Sequence, residues 1–287
     1  MSETAKLLYS VFKLRIGFAI MFCALAGIAV TPGVVPGPWQ IFVLALAVLF
    51  SSAAAGAFNQ YIERDLDARM PRTRERPFVT GRLSAGFFWP TVIGFILVIS
   101  LAGAAFATNA VAALYVFLGA FTYGVVYTVW LKRRTWLNIV VGGLAGSFAV
   151  LAGAAAVAPQ LAPAPLILAV VLFLWTPPHF WSLAFVYRSD YSQADVPMLP
   201  VVVAPETAAK VIFAHTTLLV ALSVLPVFYG LGWIYLLGAG LGGGYFLTTS
   251  WLLMRDPGQA AAVLNFRASL VQLSILLSVA ILDPWLA

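Results

Sequence analysis

The stretch from residue 41 to residue 82, IFVLALAVLFSSAAAGAFNQYIERDLDARMPRTRERPFVTGR, passes directly from an apolar run into the most highly charged segment of the chain. At a rise of about 1.5 Å per residue, a helix formed by this run and the residues just after it can cross a hydrocarbon core of about 30 Å. The polar half, residues 58–82, contains four acidic side chains and six arginines. We therefore expect a helix that begins inside a membrane and projects past its surface.

Three oxygen-bearing side chains are spaced four residues apart at the end of this helix: Asn59, Glu63 and Asp67. On a helix, this spacing places them on one face. Oxygen ligands of this kind bind hard cations, and Mg²⁺ in particular is held by one or two carboxylates together with the oxygens of a phosphorylated substrate. The spacing therefore predicts a site for a metal-bound phosphate group.

Pro71 is expected to stop the helix, and Arg72, Arg74 and Arg76 are expected to follow in an extended loop. Arginines beside carboxylates favour the metal–phosphate interpretation. A simpler alternative is a basic loop that only sets membrane topology, in which the acids merely solubilise the arginines. The acidic spacing argues against that alternative, because a topology loop needs no acids on one face.

Hydrophobic residues make up 62% of the 287 residues, and charged residues make up only 9%. A soluble domain of this size cannot bury so much apolar surface, so the composition predicts an integral membrane protein. We expect a single polytopic domain over residues 1–287. The lone cysteine, Cys23, excludes an internal disulfide. The net charge of +6 is better explained by the distribution of basic residues along the chain and does not by itself predict nucleic-acid binding.

The chain contains nine apolar segments that are long enough to cross a membrane, which predicts an all-α membrane protein with nine transmembrane helices. With nine spans, the N-terminus and the connections after the second, fourth, sixth and eighth spans share one side, and these hold all 16 lysines and arginines. The positive-inside rule makes that side cytoplasmic, with the C-terminus outside. The segments are residues 15–31, 39–62, 87–107, 110–131, 137–157, 163–187, 206–229, 231–253 and 264–284.

Two further connections carry candidate residues on the same side. Lys132 and Arg133 end the fourth span, with Tyr127 one to two turns before them, and they could clamp an anion. The alternative for this cluster is a stop-transfer signal. Asp190 and Asp195 follow the sixth span, in a connection that resembles the acidic loop after the second span. If the two halves of the chain face each other, both acidic loops meet at one cavity.

The segment from Trp175 to Trp181, WTPPHFW, is unusual inside a membrane span. Its two prolines remove backbone donors and are expected to kink the helix, so the freed carbonyls should face protein or a water-filled cavity. His179 follows them, and a histidine within a span is a functional candidate. The alternative is a hydrogen-bonded histidine that only contributes to packing.

Together these stretches resemble the UbiA-type intramembrane prenyltransferases, and within them the branch that farnesylates protoheme IX. The resemblance extends from about residue 12 to residue 205 and is weaker in the last three spans. The histidine segment and the Pro-Met-Leu-Pro segment are the specific parts, whereas the first motif marks the wider family. The matching motifs are Asn59-x₃-Glu63-x₃-Asp67 with Arg72-Thr-x₂-Arg76-Pro77, Tyr127-Thr-x₂-Leu-Lys-Arg-Arg-Thr135, Asn138-x₃-Gly142-Gly-x₂-Gly146, Trp175–Trp181 and Asp190-Tyr-x₂-Ala-x₂-Pro-Met-Leu-Pro-Val201.

The resemblance implies nine helices around a central cavity that is open to the cytoplasmic side of the cytoplasmic (inner) membrane. It implies Mg²⁺-dependent loss of diphosphate from farnesyl diphosphate, attack by a vinyl group of haem b, and capture of the resulting cation by water. The implied partners are farnesyl diphosphate, haem b, membrane lipid, and a haem A synthase or terminal-oxidase assembly protein. The implied site residues are Asn59, Glu63, Asp67 and Asp190 for catalysis and metal, Arg64, Arg72, Arg76, Tyr127, Lys132 and Arg133 for diphosphate, and His179 and Trp181 for haem.

The chain departs from the family pattern at several positions. Glu63 stands where an aspartate is usual, Lys13-Leu14-Arg15 replaces Lys-Pro-Arg, and Asp190 has no acidic partner four residues away. Two other functions therefore stay open at this point. One is prenylation of a quinone or other aromatic acceptor, which the histidine segment disfavours. The other is a non-catalytic haem carrier or transporter, which would need no metal–diphosphate site.

Overall fold

The computed structural model describes residues 2–286, and all regular secondary structure within that range is helical. One helix is of the π type (Thr122–Leu131) and one of the 3₁₀ type (Leu225–Tyr229). The α-helices are α1 Glu3–Val11, α2 Leu14–Ala29, α3 Pro38–Ile62, α4 Arg64–Ala68, α5 Phe88–Ala107, α6 Ala110–Phe121, α7 Asn138–Gly142, α8 Leu144–Val157, α9 Pro163–Val186, α10 Arg188–Gln193, α11 Leu199–Val202, α12 Pro205–Ser223, α13 Trp233–Arg255 and α14 Gln259–Leu286.

Each of the nine predicted segments coincides with a helix or with two consecutive helical pieces. Within residues 2–286, seven such stretches are long and apolar enough to cross a membrane, or eight if α1 and α2, which meet at 52°, form one bent span. The glycine-rich helix α13 occupies the place of the eighth predicted segment but falls outside that set. The all-helical membrane fold is thus confirmed, and the count of nine spans stays a prediction.

The long helices form a closed ring. Each packs against the next in chain order, and α14 returns to contact α2. Helix α2 also packs tightly against α8 at two glycines, Gly27 and Gly153. A Cβ atom on Gly153 would lie only 1.9 Å from the Ala24 carbonyl oxygen, and one on Gly27 only 2.1 Å from the Val150 carbonyl oxygen. Because the nearest atoms at both points belong to the backbone, an added side chain could be accommodated only if the two helices moved apart.

Gly153→Ala is therefore expected to destabilise the protein by about 3 kcal/mol, the upper part of the range for overpacked cores. Thermal unfolding in detergent or nanodiscs measures the change. Gly94→Ala in helix α5 is the matched control, because no atom lies within 4 Å of a Cβ placed there. Equal stability of the two variants would contradict the close packing of α2 on α8.

The polar end of helix α3 differs from the predicted geometry. The helix does not continue to Pro71, because it breaks at Glu63 (φ −88°, ψ 15°) and resumes as the short helix α4. The arginine segment is not extended either. It folds into consecutive turns, with backbone bonds from Arg74 N to Met70 O and from Arg76 N to Thr73 O, both 3.0 Å long. These turns bring Arg76 back to Asp67, just beyond the end of α3.

Two other spans contain irregular features. Residues 110–131 begin as α6 but continue as a π-helix from Thr122 to Leu131. Helix α9 runs without interruption through Pro177 and Pro178. The prolines therefore do not end the helix, and the kink predicted at them stays a prediction.

Candidate active site

The three predicted metal-binding side chains are brought together at the end of α3. Asn59, Glu63 and Asp67 are each no more than 2% exposed. The break at Glu63 does not disturb their alignment, since Glu63 N donates to Asn59 O at 3.0 Å and Asp67 N donates to Glu63 O at 2.7 Å. The four-residue periodicity is therefore kept across the break. The prediction that the three residues share one face is confirmed.

Each carboxylate of this group is paired with a base from another part of the chain. Lys132 Nζ lies 2.5 Å from Glu63 Oε2, with both side chains largely buried. One nitrogen of Arg76, Nη1, donates to both oxygens of Asp67 at 2.8 and 2.7 Å. The arginine turns and the end of the π-helix thus converge on the same acidic face.

Lys13 completes the cluster, although in the sequence it stands out only as part of a departure from a family motif. Its ammonium group donates to Asn59 Oδ1 at 2.6 Å and to the Tyr123 hydroxyl at 3.0 Å. Lys13 lies in the junction between α1 and α2 with a left-handed backbone (φ 47°, ψ 40°). Such a conformation is uncommon for a lysine and is concentrated at functional sites. The strained junction aims this side chain at the end of α3.

The π-helix supplies the aromatic wall of the site. The wider turn of a π-helix places residues four to five apart on one face. Tyr123, Lys132 and the adjacent pair Tyr127 and Thr128 have these spacings. Thr128 Oγ1 accepts a hydrogen bond of 3.0 Å from Asn59 Nδ2, and Lys132 N donates to Tyr127 O at 2.9 Å. The Tyr123 and Tyr127 rings stack with centroids 5.6 Å apart. A regular α-helix would turn one of these side chains away from the acids.

The donor set fits Mg²⁺ bound together with a phosphate group. Glu63 Oε1 is buried and has no hydrogen-bond partner among residues 2–286, so one carboxylate oxygen is already free. The described residues contain no cluster of three histidine, cysteine or acidic side chains able to hold a metal ion. The candidate ligands are instead two carboxylates and the amide oxygen of Asn59. This number suits an ion that takes its remaining oxygens from substrate and water.

The second acidic loop faces the arginine turns, but Asp190 does not join the acidic cluster. Arg72 Nη2 lies 3.4 Å from the Tyr191 hydroxyl, and Arg69 Nη1 lies 3.5 Å from Asp195 Oδ2. These contacts show that the two loops touch, and the expectation that they share one cavity stays a prediction. The half-buried Asp190 carboxylate instead accepts a long hydrogen bond, 3.5 Å, from the neighbouring Ser189. The sequence spacing alone could not show this orientation.

Two predicted diphosphate ligands are directed elsewhere. Arg64 donates to the Tyr61 carbonyl and lies over the Tyr61 ring, 4.5 Å from its centroid. Arg133 forms a two-pronged pair with the exposed Asp65, with both distances at 2.7 Å. The hydrogen bond from Arg133 lowers the pKa of Asp65 to about 2, so this pair is fully ionised at neutral pH. Of the two adjacent bases, Lys132 reaches the buried acids and Arg133 stays at the surface.

Arg72 and Arg76 also line an open cavity of about 730 Å³ between helix α1 and the arginine turns. Lys6 and Arg82 add two more positive charges to its wall, and two glutamates partly offset them. The Arg72 guanidinium lies 5.0 Å from the Tyr187 ring centroid. The cavity adjoins the buried Arg76–Asp67 pair, and its lining carries more positive than negative charges, so it favours an entering anion.

His179 and Trp181 face different surroundings in α9. His179 is sandwiched between Trp175 and Phe266, with ring centroids at 4.2 and 4.6 Å, and its Nδ1 lies 2.7 Å from Ser269 Oγ. Trp181 is fully buried and packs edge-on against His215 at 5.3 Å. The structure does not place the two predicted haem contacts side by side, because residues two apart on a helix point in nearly opposite directions.

Comparison with known proteins places this architecture in a family. A model of the UbiA prenyltransferase family matches residues 20–271. A protein named protoheme IX farnesyltransferase 2, from Paramagnetospirillum magneticum (strain AMB-1), is 58% identical over 287 residues, which is the whole length of both chains. The chain belongs to the UbiA prenyltransferase family. The prediction of an enzyme that transfers prenyl groups is thereby confirmed.

Solved structures of UbiA-type proteins share the same helical arrangement. A digeranylgeranylglyceryl phosphate synthase structure superposes with a TM-score of 0.81 at 16% identity and full coverage of both chains. A UbiA homologue from Archaeoglobus fulgidus bound to DMAPP and Mg²⁺ superposes with a TM-score of 0.69 at 17% identity, covering 96% of this chain and 99% of that one. At such identities the likeness establishes the fold.

Proposed function

We propose that this UbiA family member transfers a farnesyl group from farnesyl diphosphate to a vinyl group of haem b, and that water addition completes haem O. The observation that best supports haem b as the acceptor is the full-length 58% identity to a protein named protoheme IX farnesyltransferase 2. The buried acidic face surrounded by bases supports the donor chemistry. The same constellation is unnecessary for a haem carrier.

Asn59, Glu63 and Asp67 would hold Mg²⁺ through the free Glu63 oxygen and its neighbours. When bound there, the ion supplies Lewis-acid stabilisation of the leaving diphosphate. The UbiA homologue solved with DMAPP and Mg²⁺ has the same fold, which supports this placement. The Asp190 carboxylate lies outside the acidic cluster. Asp190 would therefore bind a second metal ion only if phosphate oxygens linked that ion to the first one.

The bases that now pair with the acidic face would receive the diphosphate. A prenyl diphosphate carries about three negative charges, and the side chains of Lys13, Lys132 and Arg76 are the bases within reach of the acids. Arg72 stands at the adjoining cavity as a further contact. Charge pairs gain strength in a partly dry site, because water screens them less. Arg64 and Arg133 have no part in this proposal, since their guanidinium groups are engaged elsewhere.

The aromatic wall would protect the allylic cation that remains after diphosphate leaves. The stacked Tyr123 and Tyr127 rings lie beside the bases, with Lys132 Nζ 5.7 Å from the Tyr127 centroid. Aromatic faces attract cations and exclude water from the reacting carbon. The prenyl chain would then be attacked by the acceptor rather than hydrolysed.

The reaction would take place at the cytoplasmic face of the inner membrane, with the N-terminus inside and the C-terminus outside. The support is charge asymmetry, because all 16 lysines and arginines fall on one predicted side. A haem A synthase or an oxidase assembly protein is a fitting recipient of the product, because haem O is apolar and would pass between membrane proteins.

The decisive experiment is expression of this chain in a host that lacks haem O, followed by haem extraction and mass spectrometry. The expected result is a new haem heavier than haem b by one farnesyl group and one hydroxyl group, which together convert a vinyl group into a hydroxyethylfarnesyl substituent. Haem b alone, from cells that contain the folded protein, would overturn the proposal. A prenylated quinone in the same extracts would instead identify an aromatic acceptor.

A further inference from the structure

A buried polar cluster joins helix α14 to the histidine segment of α9, well apart in sequence from the acidic face. Its centre is Ser269, which is 0% exposed. Ser269 Oγ lies 2.7 Å from His179 Nδ1 and 2.6 Å from the Phe266 carbonyl oxygen. The Ser269 carbonyl also accepts a 3.0 Å hydrogen bond from Trp175 Nε1. One residue of α14 therefore anchors two rings of α9.

The position of the histidine proton follows from these contacts. A backbone carbonyl can only accept a hydrogen bond, so the single hydroxyl proton of Ser269 is donated to Phe266 O. The remaining short contact, between Ser269 Oγ and His179, must then use a proton on Nδ1 of the imidazole. Neutral imidazole carries one proton, so Nε2 holds a lone pair. Within residues 2–286, Nε2 has no hydrogen-bond partner.

The orientation of the ring is fixed as firmly as its tautomer. Trp175 and Phe266 stack on opposite faces of the imidazole at interplanar angles of 18° and 27°. Trp175 is itself held by Ser269, and Phe180 meets the imidazole edge-on at 5.2 Å. A packing histidine needs neither a defined tautomer nor an unpaired nitrogen. An imidazole that donates a hydrogen bond from one nitrogen and keeps a free lone pair on the other is the usual arrangement of a metal-ligating histidine.

We propose that Ser269 is a positioning residue that holds His179 in its Nδ1–H tautomer, so that Nε2 ligates the iron of the haem substrate. The inference rests on the proposed function, because that function supplies haem as the acceptor. Hydrogen bonds to the second nitrogen of metal-bound histidines orient the ring and raise its basicity, and losing one typically lowers metal affinity by about 10–100-fold. Ser269 would act in this way from the opposite side of the ring.

The test is a titration of haem b into the purified protein in nanodiscs, followed by resonance Raman spectroscopy of the ferrous complex. An iron–histidine stretching band is expected in the wild type and absent in His179→Ala, where added imidazole should restore it. Ser269→Ala is expected to lower the frequency of this band, because the Nδ1 hydrogen bond is lost, and to weaken haem binding by about 10-fold. Ser269→Thr keeps the hydroxyl and should retain the wild-type band.

Ser147→Ala is the matched control, since Ser147 is also buried and donates 2.7 Å to a carbonyl, Ala169 O, away from the histidine. Its spectrum should equal that of the wild type. An unchanged iron–histidine band in His179→Ala would overturn the inference, as would a His179 contact only to the haem propionates. Haem O formation without this band would leave the proposed function standing. The band without haem O formation would support iron ligation by His179 and contradict the proposed function.

Discussion

Asp67→Asn is expected to lower haem O formation by on the order of 10³-fold, because it removes a buried negative charge from the proposed metal site while keeping nearly the same shape. In the folded protein, Asp67 is paired through both oxygens with Arg76. An asparagine can still accept one of these hydrogen bonds, so the arginine turn should keep its place. The variant loses the negative charge that would help to bind Mg²⁺ next to the leaving diphosphate. Product formed per hour, normalised to folded protein, measures the effect.

Asp195→Asn is the control for this variant. Asp195 also contacts an arginine, Arg69, but its side chain is 86% exposed and the distance is 3.5 Å. Exposed pairs contribute about 0–1 kcal/mol, so activity should change less than about twofold. Equal losses in the two variants would show that general charge at this surface matters, and not the buried acidic face. Full activity of Asp67→Asn would support a haem carrier without a metal–diphosphate site.

The acidic face could be predicted from sequence because it depends on a single local period. Four-residue spacing on a helix survives even the break at Glu63, where the backbone hydrogen bonds to Asn59 and from Asp67 continue across the irregular residue. The helical segments could be predicted for a similar reason, since apolar length decides them. Both features arise from neighbours in the chain, so no tertiary contact is needed to identify them.

The partners of that face could not be predicted in the same way. Lys13 and Lys132 reach Asn59 and Glu63 across 46 and 69 residues of chain. Their selection depends on the strained junction at Lys13 and on the π-helix, which changes the face that each residue occupies. Neither irregularity has a clear signature in composition or hydrophobic period. The contact between Ser269 and His179 joins residues 90 apart in the chain, so it too depends on tertiary structure and could not be predicted from the sequence.

Lys132→Met is expected to give the second large effect, on both stability and turnover. Glu63 would be left with neither oxygen paired while only 1% of its side chain is exposed. Removing one member of a buried ion pair typically destabilises a protein by about 3–5 kcal/mol. Activity should fall by on the order of 10²-fold, since a proposed diphosphate contact is lost as well. Thermal unfolding and haem O formation measure the two effects separately.

Arg133→Met is the matched control, because it removes the adjacent positive charge from an exposed pair. Its partner Asp65 is 55% exposed, so the expected loss of stability is below about 1 kcal/mol. Mg²⁺ alone should stabilise Lys132→Met more than Arg133→Met, since cation binding would compensate the bare Glu63 carboxylate. If the two variants had the same thermal stability and the same rate of haem O formation, Lys132 would only be part of a basic cluster that sets membrane topology. The contrast between neighbouring residues therefore separates a catalytic cluster from a stop-transfer signal.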